Sequence, residues 1–79
     1  MLSFFTFQNA LDYVEMSLDE QGINDFIEYL EYLKEHKDHF HLTAGNELDE
    51  YQLPEGSNAN VVKSVRIDFE GTIASLNSV

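Results

Sequence analysis

Between Asp19 and Lys37 the apolar residues Ile23, Phe26, Ile27, Leu30 and Leu33 recur at steps of three and four. At about 100° per residue they share an arc of roughly 120°, the signature of an amphipathic helix. This is the one long helical period in the chain, and its stripe needs an apolar surface to cover it. Asp19 is placed to cap the first turn, and Glu20 adds negative charge at the positive end of the helix dipole. A glycine inside a helix costs about 1 kcal/mol relative to alanine, so Gly22 allows a start just after it, capped near Gly22 or Asn24.

The remaining apolar residues fall into short runs that suit strands. Residues 1–7 mix Leu2, Phe4, Phe5 and Phe7, and Gln8-Asn9-Ala10 follows as a turn. Residues 11–18 set Val14, Met16 and Leu18 on one side and Leu11 and Tyr13 on the other, which predicts a hairpin with a bulge between Tyr13 and Val14. In residues 38–43, Phe40 and Leu42 oppose His39 and His41 on a third strand. Ala44-Gly45-Asn46 is a turn signal, residues 47–53 alternate as a short fourth strand, and Pro54-Glu55-Gly56-Ser57-Asn58 is a loop. Residues 60–69 carry Val61, Val65, Ile67 and Phe69 on one face, as a last strand with one buried side. The expected fold is α+β: one amphipathic helix packed on a mainly antiparallel sheet of four or five strands, in the order β-β-α-β-β-β. Residues 1–70 form a single domain in this reading, and 71–79 are a C-terminal tail or edge strand.

Composition narrows the function. With 79 residues there is room for one domain, and no cysteine is present to supply disulfides, thiolate ligands or a thiol nucleophile. Fifteen acidic residues against four basic ones give a formal charge of −11, a negative field that argues against direct nucleic-acid binding. No apolar run approaches the roughly 18–20 residues of a membrane span, and residues 1–7 lack the basic flank of a secretory signal. A cytoplasmic protein with no membrane association is expected. The serines occupy no nucleophile-elbow setting, no glycine-rich phosphate loop exists, and a chain this short has little volume for a water-excluding pocket. The reading is of a non-enzyme without a cofactor.

Two groups of residues are candidates for binding. On the polar side of the helix, Asp25, Glu28, Glu31 and Glu35 point away from the apolar stripe, with Tyr32 among them and Tyr29 at the border. Like-charged neighbours such as Glu28/Glu31 and Glu31/Glu35 each cost about 0.2–0.5 kcal/mol in an isolated helix. Lys34 and Lys37 lie nearer the stripe and do not neutralise that face. The plain explanation is solubility; the functional one is a surface on which carboxylates steer a basic partner and the two tyrosines anchor it. The second group is His39 and His41, which project from the same face of a strand, with His36 at the helix end as a third nitrogen. They define an alternative, a metal- or small-ligand-binding module, against the plain reading of a surface pair and a histidine that meets the helix dipole. A third possibility is an oligomerisation domain that pairs through an exposed sheet edge or through residues 71–79.

The order of features carries a resemblance. Gly22, the apolar helix with Leu30 and Leu33, His39-Phe40-His41-Leu42, Gly45-Asn46-Glu47-Leu48 and the closing strand over 61–69 succeed one another in a way that resembles the immunity protein 32 family of bacterial polymorphic toxin systems. The likeness covers residues 11–69. It implies a small cytoplasmic antidote that binds and neutralises a cognate toxin and has no chemistry of its own, and it brings no catalytic residues.

Overall fold

A computed structural model describes residues 1–70 of the chain. Strands β1 (Leu2–Phe7) and β2 (Ala10–Leu18) form an antiparallel hairpin turned by Gln8-Asn9. Leu2 pairs with Leu18, Phe4 with Met16 and Thr6 with Val14, but the next partner of Phe7 is Ala10. Leu11, Asp12 and Tyr13 are therefore surplus residues on β2, the irregularity that the broken alternation beside Val14 predicts.

Helix α1 spans Glu20–His36. The Asp19 carboxylate caps it by accepting the Gly22 N–H at 2.8 Å, and Lys37 ends it in the left-handed region (φ 55°), its N–H donating to the Leu33 carbonyl at 2.7 Å. Gly22 lies in the first turn, and the helix starts before it. A Cβ there would sit 1.8 Å from the Met1 carbonyl oxygen, so the glycine admits the backbone of residue 1 against the helix. The Asp19 N–H donates to that same carbonyl at 3.1 Å. These contacts fix how the helix is rolled on the sheet.

Strand β3 (His39–Thr43) follows α1 and pairs antiparallel with β5 (Ser64–Asp68), while β4 (Ala59–Val61) pairs antiparallel with β1. The five strands thus divide into a three-stranded sheet ordered β2-β1-β4 and a two-stranded sheet ordered β3-β5. The single last strand expected over 60–69 is one extended stretch that changes partner midway. Its Val62 N–H donates to the Phe4 carbonyl at 2.9 Å, and its Lys63 carbonyl accepts the Ala44 N–H at 2.9 Å.

No strand forms over residues 47–53. Gly45, at φ 84°, turns the chain, and a bridge between Ala44 and Leu48 is the one ladder contact there. The Glu47 carboxylate accepts the Thr43 N–H at 3.0 Å, the Leu48 N–H donates to the Thr43 carbonyl at 3.1 Å, and Asn46 Nδ2 donates to Thr43 Oγ1 at 3.0 Å. With the Leu48 N–H and carbonyl both bonded within the turn, its side chain is carried inward. Leu48 joins Leu2 and Leu42 as the fully buried centre, surrounded by Phe4, Leu18, Phe26, Tyr29, Phe40, Val65 and Ile67. Asp49 then ties the turn to the first strand: its N–H donates to the Leu2 carbonyl at 3.0 Å, and its carboxylate accepts the Leu2 N–H at 3.2 Å.

The architecture is the expected α+β arrangement in the expected element order. The helix stripe, however, is only partly used. Gly22 and Leu33 are buried and Phe26 and Tyr29 pack on the core, whereas Ile23, Ile27 and Leu30 remain exposed. No helix among the described residues is long and apolar enough to cross a membrane. The predicted tail or edge strand over 71–79 lies outside the described residues.

Candidate functional site

Side chains of α1 and β3 meet at the Tyr29–Phe40 contact, and the groove there gathers residues from three places in the sequence. Glu28, Tyr29 and Tyr32 come from the helix, Phe40, His41 and Leu42 from the strand, and Glu47 from the turn that follows it; together they line an open cleft of about 280 Å³. Its floor is fixed by the core. Leu42 is fully buried, and the Tyr29 ring packs against Phe40 with centroids 6.0 Å apart. One wall is set by Tyr32, whose ring lies 4.1 Å from that of His36, one helical turn on. The opposite wall is Glu47, held by its bond to the Thr43 N–H.

The electrostatics of the cleft are anionic. Burial raises the pKa of the Tyr29 phenol, and the carboxylates of Asp25, Glu47 and Glu28 raise it further, because each disfavours a second negative charge nearby. Two of those carboxylates line the groove beside three aromatic rings. Such a combination accepts a cationic side chain: rings attract the charge through their faces, carboxylates pair with it, and the apolar stem of Lys or Arg covers ring surface.

Of the six helix residues singled out from the sequence, the fold brings Glu28, Tyr29 and Tyr32 into one place. Asp25 sits a turn before Tyr29, half-buried, and accepts a hydrogen bond from Gln21 Nε2 at 2.9 Å. Glu31 and Glu35 are exposed on the polar side of the helix beside Glu28 and line no part of the cleft. Phe40, Leu42 and Glu47 entered the sequence reading through strand alternation and the motifs that carry the resemblance, not as members of the acidic helix face. Phe40 has the alternation of an ordinary core residue, and Glu47 reaches the groove only through the left-handed turn at Gly45, so neither spacing nor charge pattern assigns them to the cleft.

The histidines take different positions. His39 and His41 meet edge to face with centroids 5.2 Å apart, His39 Nδ1 is 2.9 Å from the Asp38 carboxylate, and His36 stacks on Tyr32. Arg66 is the cross-strand neighbour of His41, a guanidinium where a bound cation would be repelled. Among the described residues no three His, Asp or Glu side chains converge as a metal site. A second, larger cleft of about 530 Å³, lined by Ala44, Glu50, Tyr51, Gln52, Val61 and Lys63, contains none of the predicted residues and mixes both signs of charge.

Residues matching the proposed family motifs have structural work to do. Leu42 and Leu48 fill the core, Gly45 supplies the positive φ, and Glu47 closes the turn. No family model matches the chain, and no curated protein or solved structure is significantly similar to it.

Proposed function

We propose that the chain is a non-enzymatic binding protein that neutralises a basic protein by occlusion, in the manner of an immunity protein directed at a bacterial toxin. The observation that carries this reading is the cleft between α1 and β3, where Glu28 and Glu47 stand over the rings of Tyr29, Tyr32 and Phe40. A Lys or Arg side chain of the partner enters the cleft. The wider charge of −11 draws that partner in from a distance, and Asp25, Glu31 and Glu35 contribute to this field without touching the inserted side chain. Occupying cationic residues is enough to block an enzyme that uses them to hold a polyanion, so no chemistry is needed on this side.

An arginine-rich peptide titrated into the ¹⁵N-labelled protein tests the assignment. Shift changes should centre on Tyr29, Tyr32, Phe40 and Glu47, and Glu28→Gln with Glu47→Gln should weaken binding by about tenfold, the loss of two charge-assisted contacts partly exposed to water. Glu47→Gln keeps the oxygen that caps Thr43. Shifts spread evenly over the acidic surface, or affinity unchanged in the double variant, would reject the cleft as the binding site.

A further inference from the structure

The flank of α1 turned away from the cleft is an apolar surface that the proposed function leaves unused. Ile23, Ile27 and Leu30 are 49%, 50% and 42% exposed, although each belongs to the apolar stripe. By helical geometry Glu20, Ile23, Ile27, Leu30 and Lys34 occupy one band roughly 80° wide, and Lys37, the C-cap residue, follows at its end. Along that band the chemistry runs from acid at the N-terminal end, through three aliphatic side chains, to two lysines at the C-terminal end. Half of the four Lys and Arg residues of this acidic chain are in it or at its end. Beside the helix the apolar surface continues: Met16 and Val14 pair with Phe4 and Thr6 on the sheet face that α1 covers, and both are exposed.

A band of this polarity is complementary to its own reverse. When a second copy is laid antiparallel, with the two-fold axis passing between Ile27 and Leu30, Ile27 faces the other copy's Leu30. Ile23 faces the aliphatic stem of Lys34, and Glu20 faces Lys37. Every pair occurs twice, as an isologous contact requires. A parallel arrangement would instead oppose Glu20 to Glu20 and lysine to lysine, and would align the helix dipoles unfavourably. We infer that this flank is a homodimer interface and that the chain associates through antiparallel pairing of α1. The inference does not depend on the proposed function, since the cleft lies on the other flank of the helix and both clefts of the dimer face outward.

The interface is at the small end of specific ones, below about 1,200 Å² in total, and two copies of charge −11 repel, so the dimer is a weak one that tightens as salt screens that repulsion. Sedimentation velocity of the full chain between about 10 µM and 1 mM, where a Kd in the micromolar range is visible, should show monomer–dimer exchange, strengthened by raising salt. Ile27→Asp should weaken association at least tenfold and leave the circular dichroism spectrum unchanged. Glu20→Lys and Lys37→Glu should each weaken it, and the two together in one chain should restore it, because the opposed pair is then rebuilt with its signs exchanged. A monomer across the whole range overturns the inference, whether residues 71–79 or a different protein covers the flank instead. A dimer indifferent to Ile27→Asp, or a double charge swap that fails to restore pairing, overturns it equally.

Discussion

The two flanks of α1 are made from similar residues and meet opposite fates. On one, Gly22, Phe26, Tyr29 and Leu33 press against the core; on the other, Ile23, Ile27 and Leu30 face solvent. Hydrophobicity does not separate them, since the exposed flank is the more aliphatic. The difference lies in the missing side chain at Gly22, where the Met1 carbonyl approaches closer than any Cβ would permit. Backbone fit at one point decides which edge of an apolar stripe is buried. What remains uncovered is available for association.

The contrast is tested most severely by removing side chains from each flank. Leu33→Ala should cost about 2–5 kcal/mol through lost burial and the cavity left behind, a large part of the stability of so small a domain. Ile27→Ala should cost less than about 1 kcal/mol in dilute protein, because half of that side chain already meets water. Urea denaturation at low micromolar concentration measures both, and equal losses would erase the distinction between the flanks.

Gly22→Ala addresses the cause. The helix gains propensity from the exchange, by about 1 kcal/mol, but the Met1 carbonyl has to move, and net destabilisation of about 1–3 kcal/mol is expected, as in an overpacked core. A stabilised variant would show that Met1 does not set the roll.

The smallest effect concerns charge at the same junction. The Asp19 carboxyl is held below its ordinary pKa by the amino group of Met1 first and by the Gly22 N–H second, and the amino group is raised above its own ordinary value chiefly by Asp19. Stability from the carboxylate is therefore present above the usual aspartate range and lost as pH falls through the lowered value. Stability from the amino group is present at neutral pH and lost as pH rises through the raised value. Asp19→Asn keeps a capping oxygen and should flatten both limbs of the Tm–pH profile, with little change in fold. A profile identical to that of the parent would remove this ion pair from the account of how the helix is seated.

Periodicity made much of this fold legible. The helix, the hairpin with its irregularity before Val14, and the alternation of β3 all follow from local patterns of three, four or two. Residues 47–53 were not legible, because their alternation is real but Leu48 bonds back to Thr43 within a turn and only Asp49 reaches a neighbouring strand, at Leu2. The site was half visible. Glu28, Tyr29 and Tyr32 stand out on the helix, whereas Glu47 and Phe40 enter through tertiary pairing, which leaves no trace in spacing. The partial use of the stripe was not legible either, because a helical wheel gives angles between residues but not the angle of the whole helix to the sheet.

The extended stretch from Ala59 to Asp68 serves the β1 edge with its first half and the β3 edge with its second. Among the described residues no other ladder joins the two sheets, so it acts as a tie between them. Its first half closes the longest sequence separation among the described strands, setting Val61 against Phe5, whereas its second half returns to the much nearer β3, so the slow, entropically costly step of assembly belongs to β4. Because one covalent stretch serves both sheets, strain applied to β5 is passed directly to β4 and so to the β1 edge.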